Sequence, residues 1–302
     1  MSFRSFFVKR IERLQPLVIL GMIVGAALFH FADSERWPLI HTIPLWKVLL
    51  VMLAGFFLIP LPLSQNIRGW DEMYPVNGAA WSLFYEYLAN IAYGLFLRKA
   101  SLIVLILLAV CSGGYLAVHT FHAGDILGGW SFTTEQLNIG FIRVTFPFIM
   151  GMILARKMKI TTISNGFIYS SLLLLVLLFV PRLGGDDAIW MNGVYEAFVI
   201  IVMFPLIIYI GASAVSAENV LSTVCKFLGD LSYPIYITHF PIIYLYSAWI
   251  SDHRGDSDFQ LWTVLYGLLT FSLSIALGYA ALKYYDEPVR KYIRRKIFVS
   301  NQ

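Results

Sequence analysis

The sequence predicts an all-α fold, a polytopic bundle of transmembrane helices that crosses a bilayer eight or nine times. Of its 302 residues, 59% are hydrophobic and 13% are charged, and the mean hydropathy is +0.72, a balance that soluble domains do not normally show. Apolar residues form continuous runs, such as residues 171–180 (SLLLLVLLFV), without the alternation of a transmembrane barrel. Because lipid offers no hydrogen-bond partners, such runs must pair their backbone groups internally, as helices.

Eight stretches are apolar and long enough to span, which takes roughly 20 residues in a helix. They are residues 14–31, 80–97, 101–118, 139–155, 166–181, 193–212, 231–250 and 260–282. A ninth stretch, residues 44–63, is also apolar but contains Pro44, Lys47, Pro60 and Pro62. Because proline interrupts helical hydrogen bonding, this stretch is ambiguous.

The basic residues help to choose between these counts, since short cytoplasmic loops are enriched in lysine and arginine. The basic clusters are Arg4, Lys9, Arg10 and Arg13; Arg98 and Lys99; Arg156, Lys157 and Lys159; Lys226; and Arg290, Lys291, Arg294, Arg295 and Lys296. The acidic or nearly uncharged loops between them are residues 32–43, 119–138, 182–192 and 251–259. An even number of crossings separates neighbouring clusters if residues 44–63 do not span. We therefore expect eight crossings with cytoplasmic termini, and residues 32–79 outside or re-entrant.

The rest of the composition excludes several classes of function. No repeat, linker or soluble module interrupts the chain, which predicts one membrane-embedded domain over residues 1–302. The net charge of +4 is concentrated at the termini, as in anchoring to a membrane surface, and we expect no nucleic-acid partner. Cys111 and Cys225 match no metal-ligand or redox spacing, so we expect packing roles for them and no metal.

Four ionisable residues fall inside the predicted spans, where each costs at least ~2.5 kcal/mol and is a functional candidate. Glu86 lies near the outer start of its helix, where the helix dipole alone would favour a carboxylate. Arg143 either reaches the outer interface or pairs with Glu86 or Glu196, and Glu196 is close enough to its helix start to reach the interface as well. His239 lies near the bilayer midplane, where it serves either chemistry or an interhelical hydrogen bond.

Two further patterns concern backbone and charge. Pro234 and Pro241 flank His239, and each weakens the helix and frees backbone carbonyls toward a cavity. Arg10 and Arg13 form an Arg-x-x-Arg pair on one helix face, which is either a membrane anchor or a phosphate site, because guanidinium groups grip phosphate in a forked geometry.

Taken in order, these features resemble the integral-membrane acyltransferase 3 family over most of the chain. The resemblance implies transfer of an acyl group, usually acetyl, from acetyl-coenzyme A or another acyl-coenzyme A to a hydroxyl of a surface or lipid-linked carbohydrate. It also implies a bacterial inner membrane, with membrane lipids as further partners. The matching stretches are residues 6–16 (FFVKRIERLQP); Asn77, Trp81, Ser82, Leu83 and Glu86; Arg143, Phe148 and Gly151; residues 229–236 (GDLSYPIY) with His239; and Glu287 with Pro288.

The chain also departs from the family's pattern. The family opens with a helix that carries an arginine and, eleven residues later, a histidine, followed by a second helix before the Arg-x-x-Arg stretch. No arginine here has a histidine at that spacing. We interpret the chain as lacking those two helices, which would leave it inactive or shift the chemistry to another group.

The mechanism that the resemblance implies suggests roles for six residues. Arg10 and Arg13 would bind the coenzyme, Glu86 would be catalytic, and Trp81 and Arg143 would contact the acceptor. His239 does not match the family's histidine motif, and we choose it as the catalytic histidine because its imidazole lies within a predicted span. Two alternatives remain open. One is a transporter or flippase of a lipid-linked sugar, with Glu86, Arg143 and His239 as a polar pathway. The other is a structural or vestigial membrane protein without activity.

Overall fold

A computed structural model describes residues 3–159, 161–214 and 220–299. It is 77% helical and contains no strand among the described residues, which confirms the all-α prediction. The α-helices of these residues are α1 (Phe3–Leu28), α2 (Leu45–Phe56), α3 (Ala80–Leu95), α4 (Leu102–Ala123), α5 (Thr134–Lys157), α6 (Gly166–Leu178), α7 (Ile189–Phe198), α8 (Phe204–Ala212), α9 (Val220–Asp252), α10 (Phe259–Ala280) and α11 (Glu287–Val299). The π-helical turns Val199–Met203 and Ala281–Asp286 join α7 to α8 and α10 to α11.

Each of the eight predicted spans falls on a helix, and five helical segments of the described residues are long and apolar enough to cross a membrane. These segments are Phe3–Leu28, Leu102–Ala123, Thr134–Lys157, Ile189–Ala212 and Phe259–Lys296. The other predicted spans correspond to α3 and α6, which are short at 16 and 13 residues, and to the more polar α9. The chain is therefore a membrane protein, and the count of eight crossings stays a prediction.

The ambiguous stretch, residues 44–63, forms only the 12-residue helix α2, which is about 18 Å long, shorter than the bilayer core of about 30 Å. The helix begins directly after Pro44 and ends at Phe56, before Pro60 and Pro62. It packs closely on α1, because a side chain at Gly55 would come within 2.7 Å of the sulfur of Met22.

The described residues group into two compact units. The first contains those within Met1–Phe84, Trp130–Thr134 and Thr223–Gln302, and the second those within Tyr85–Gly129 and Glu135–Ser222. In the second unit, α4, α5 and α7 enclose an apolar core, and a side chain at Gly193 would come within 1.8 Å of the Thr120 carbonyl oxygen. The prediction of one domain over residues 1–302 stays a prediction.

Loops that were predicted to lie on the same side of the membrane meet in the second unit. In the second unit, Arg156 donates to the carbonyls of Ala100 at 2.6 Å and Leu97 at 3.0 Å, next to the basic pair after α3. In the same unit, Arg182 and Asp125 from two predicted outer loops form a 3.0 Å ion pair. The sidedness of these loops stays a prediction.

Candidate functional site

The helix around His239 is continuous through Pro234 and Pro241, and the carbonyl that Pro241 leaves without an N–H partner binds a side chain rather than facing a cavity. Pro241 has no N–H to donate to the carbonyl of Ile237, one turn earlier. The side-chain amide of Asn77 donates to that carbonyl at 2.8 Å instead. Helix α1 approaches this point so closely that a side chain at Gly21 would lie 2.6 Å from the same carbonyl oxygen. The freed carbonyl therefore fixes the segment before α3 against the middle of α9.

The ring of His239 has a defined orientation. Its Nδ1 lies 2.8 Å from the carbonyl oxygen of Tyr236 and 3.1 Å from that of Ile235. A carbonyl only accepts hydrogen bonds, so we assign the hydrogen of the neutral ring to Nδ1. Nε2 is then the basic nitrogen. The ring also contacts Phe240, at a centroid distance of 5.5 Å.

Hydroxyl groups from α3 and α9 meet beside this histidine. The hydroxyls of Ser82 and Tyr236 are hydrogen-bonded, and Tyr236 also donates to the Ala79 carbonyl at 2.7 Å. The ring centroid of Tyr236 lies 6.1 Å from that of His239. Trp81, which we predicted as a substrate contact, is half-buried in the same first turn of α3. The first unit thus brings this turn to the histidine helix.

A second polar group, which the sequence did not lead us to predict, is formed by Arg68, Glu72 and Tyr244, called here the buried charged cluster. Tyr244 donates to Oε1 of Glu72 at 2.6 Å, and Cζ of Arg68 lies 3.6 Å from the centroid of the tyrosine ring. Nε of Arg68 donates to the carbonyl of Pro75 at 2.9 Å and is 3.9 Å from Oε2 of Glu72. The cluster therefore ties the loop before α3 to α9.

Burial dominates the electrostatics of this cluster. It raises the pKa of Glu72 from 4.5 to about 7, although the positive charge of Arg68 and the hydrogen bond from Tyr244 oppose the rise. Burial likewise lowers the pKa of Arg68. We missed the cluster because residues 32–79 were expected to be an external or re-entrant connection. The signal was the i, i+4 spacing of Arg68 and Glu72 in an aromatic loop.

The two ends of the first unit form a basic cavity of about 500 Å³ between α1 and α11, lined by Lys9, Glu12, Arg13, Arg290 and Arg294. Glu12 is buried and forms an ion pair with Arg294. Arg13 therefore lies on a cavity with three other cations.

The other arginine of the predicted pair is placed differently. The guanidinium of Arg10 stacks on the ring of Phe6, at 5.4 Å from its centroid, and Arg10 does not line the basic cavity. The contributions of Lys9, Arg290 and Arg294 were not predicted, since the basic tail gave no sign of which helix it would face.

The second unit holds the remaining predicted site residues, Glu86 and Arg143. Glu86 is half-buried on α3. Arg143 donates to the carbonyl of Gly128 at 2.8 Å, and it lines an apolar cavity of about 740 Å³ together with Glu196. Glu196 accepts a hydrogen bond from the backbone N–H of Ile126 at 3.2 Å. The structure thus brings Arg143 and Glu196 to one cavity, and the functional roles of all six residues stay predictions.

A family model matches almost the whole chain. The model of the acyltransferase 3 family, described as an acyltransferase domain, matches residues 1–279. No curated protein and no solved structure matches the chain significantly. The match supports the acyltransferase reading and gives no support to the transporter alternative. The chain therefore belongs to the acyltransferase 3 family of membrane acyltransferases.

Proposed function

We propose that this acyltransferase moves an acyl group, in particular acetyl, from acyl-coenzyme A on the cytoplasmic side to a hydroxyl of a surface or lipid-linked carbohydrate. The family match supports the reaction class. The observation that carries the choice of donor is the basic cavity, which has the charge and the residue types to hold the phosphates of a coenzyme A ester.

The basic cavity has an excess of positive charge. It is lined by four cationic side chains and one carboxylate, Glu12, which is paired with Arg294. Arg290 is also paired, with the buried Asp286 beside the cavity, so the positive charges of Lys9 and Arg13 are in excess of these two ion pairs. Arginine suits phosphate because its guanidinium donates two parallel hydrogen bonds to the phosphate oxygens. We assign Arg13 to direct phosphate contact and Arg10 to a second contact with the extended coenzyme.

His239 is the proposed general base. Its Nε2 accepts the proton of the acceptor hydroxyl while that oxygen attacks the carbonyl carbon of the thioester. The new C–O bond forms as the C–S bond breaks, and the sulfur leaves as the coenzyme thiolate, which takes up the proton from the histidine. Asn77 is a positioning residue in this scheme, since it binds the helix carbonyl two residues before His239. We assign Glu86 a catalytic role, and Trp81 and Arg143 contacts with the acceptor.

The proposal includes a topology of eight crossings in a bacterial inner membrane, with both termini in the cytoplasm. In support, residues of the N-terminal and C-terminal basic clusters line one cavity. Arg156 also donates a hydrogen bond to the carbonyl of Leu97, in the loop after α3. Two predicted outer loops also meet, since the backbone N–H of Glu35 donates to Asp252 at 2.9 Å. Labelling of single cysteines placed at residues 35 and 296 with an impermeant thiol reagent tests the topology: only the first is expected to react from outside.

Binding of acetyl-coenzyme A to the purified chain in nanodiscs tests the donor site. We expect Arg13→Ala and Arg290→Ala each to weaken binding at least tenfold, a loss of about 1.4 kcal/mol. Lys296→Ala is the matched control, because it removes one charge from the same helix outside the basic cavity. The donor proposal fails if the wild-type chain does not bind, or if the control weakens binding as much. Arg10→Ala tests the second contact with the coenzyme. Weaker binding of acetyl-coenzyme A supports this contact, and unchanged binding rules it out.

Transfer of labelled acetyl groups to membrane glycans tests the base. His239→Gln is expected to lower the rate by a factor of about 100 to 10,000 with unchanged affinity for acetyl-coenzyme A. Equal rates for this variant and the wild-type chain would remove His239 from the mechanism.

A further inference from the structure

The second unit contains a cavity that has no part in the donor proposal. This apolar cavity of about 740 Å³ lies between α4, α5, α6, α7 and α8. Its size is within the range of small-molecule sites, about 300–1,000 Å³. Most of its wall is hydrocarbon, from residues such as Leu116, Leu177, Met191, Val199 and Ile200.

The polar groups of the apolar cavity are gathered at one end, near the loops that follow α4 and α6. Arg143, Arg182 and Glu196 line this end. Arg182 pairs with Asp125 at 3.0 Å, so the two arginines are balanced by two carboxylates. A ligand that fits both parts of the wall has an apolar chain and a polar head, and the balance of charge favours an uncharged head.

The hydrogen bonds at this end narrow the choice of head group. Asn192 is engaged with the backbone of Leu183 through both its amide oxygen and its amide nitrogen. The hydroxyl of Tyr195 donates to the carbonyl of Leu177 at 2.8 Å and retains capacity to accept. Within the described part of the chain, the hydrogen bond of the Glu196 carboxylate is made by Oε1, which leaves Oε2 as an acceptor. A hydroxyl in the head group can donate a hydrogen bond to Glu196 and can also accept one. An anionic head group would be repelled by the carboxylate of Glu196.

The backbone at the wall is irregular as well. The π-helical turn Val199–Met203 contributes Val199 and Ile200, and Pro147 interrupts the hydrogen-bond ladder of α5. Turns of this type inside α-helices are frequent at functional sites.

We infer that the apolar cavity binds a single-chain amphiphile with an uncharged, hydroxyl-bearing head, with the chain along the hydrocarbon wall and the head beside Glu196. This site shares no residue with the basic cavity of the proposed acyl donor, and it takes another class of ligand. Arg143 lines it and is also a proposed acceptor contact. The test below measures lipid binding without acyl transfer, so failure of this inference and failure of the proposed function are distinguishable.

The test uses the full chain in nanodiscs and a photoactivatable monoacylglycerol with the reactive group on its chain. Mass spectrometry of the labelled peptides is expected to find the label at the ends of α6 and α7 that line the cavity. Ile200→Trp, which fills the cavity, is expected to lower this labelling at least tenfold. Leu107→Trp is the matched control, since Leu107 is 58% exposed on α4 outside the cavity. Labelling spread over the outer surface, or unchanged by Ile200→Trp, overturns the inference.

Competition between head groups gives a second measurement that does not depend on the folding of the tryptophan variant. Unlabelled monoacylglycerol is expected to displace the probe at least tenfold better than lysophosphatidic acid of the same chain length. In Glu196→Gln, which keeps the volume and removes the charge, we expect this preference to fall below threefold. A wild-type preference for the anionic competitor overturns the assignment of an uncharged head.

Discussion

In the buried charged cluster, the side chains of Arg68 and Glu72 are 1% and 6% exposed, whereas in the basic cavity Arg294 is 66% exposed although its partner Glu12 is 5% exposed. Both regions contain arginine and glutamate, but they differ in exposure to water and in the balance of charge. The cluster balances one cation with one carboxylate and excludes water. The basic cavity is open and carries more positive than negative groups. The difference indicates that the first region holds structure and the second is available to a ligand.

The cost of burial explains why the cluster must be balanced. Within the described residues, Nη1 of Arg68 and Oε2 of Glu72 have no hydrogen-bond partner, so neither charge is fully compensated. Each group therefore depends on the other and on the tyrosine ring under the guanidinium. Space is limited too, because a side chain at Gly78 would lie 2.5 Å from the hydroxyl of Tyr244.

The largest expected effect is that of Arg68→Met. It leaves Glu72 buried without its cation, and removing one partner of a buried pair typically costs 3–5 kcal/mol. We expect a large drop in the temperature at which the detergent-solubilised chain loses its monodisperse elution profile. Arg254→Met is the matched control, since Arg254 is exposed on the loop after α9, and it should unfold like the wild-type chain.

A double variant separates charge balance from shape. Arg68→Met with Glu72→Gln removes both charges, so it should recover part of the stability lost in Arg68→Met alone. If the double variant is less stable than Arg68→Met, the cluster is held by hydrogen bonds and packing more than by balanced charge.

The next effect concerns pH and Glu72. Because burial raises the pKa of Glu72 from 4.5 to about 7, the protonated form is favoured in the folded chain. The contribution of the protonated Glu72 carboxyl to the free energy of unfolding is full below pH 4.5 and is lost as the pH rises through about 7. We expect Glu72→Gln to flatten this dependence, because the amide does not titrate. Thermal unfolding between about pH 5 and pH 8 measures both slopes, and parallel slopes would contradict this assignment.

The comparison also shows what the sequence can predict. Long apolar runs predict helices because lipid leaves backbone groups no alternative, and all eight predicted runs are helical. The free backbone carbonyl in α9 beside His239 was predictable as well, since proline lacks an N–H. The partner of the freed carbonyl, Asn77, was not, because it lies 160 residues away in the chain.

Charged contacts between distant segments could not be predicted from the sequence either. Glu12 and Arg294 are 282 residues apart, and the pattern of the basic tail does not encode which helix it faces. The buried charged cluster was missed for a different reason. Its arginine and glutamate lie in a connection whose composition resembles that of an exposed loop, and the rings of Phe29, Trp37 and Tyr244 pack around Arg68 in the folded chain.

The smallest expected effect tests the role of Glu12 in the basic cavity. Glu12→Gln removes the single carboxylate of the cavity and releases Arg294, so we expect acetyl-coenzyme A to bind about threefold more tightly, by about 0.7 kcal/mol. Stability should change little, since Arg294 is mostly exposed. Glu287→Gln is the matched control, because Glu287 pairs with Lys283 outside the cavity.

The gain in affinity should shrink at about 1 M salt, where charges are screened beyond about 3 Å. Weaker binding in Glu12→Gln would have a different meaning, namely that the carboxylate orients Arg294 for the ligand. The basic cavity would then resemble the buried charged cluster, in that its carboxylate organises an arginine, and openness to water would be the remaining difference between the two regions.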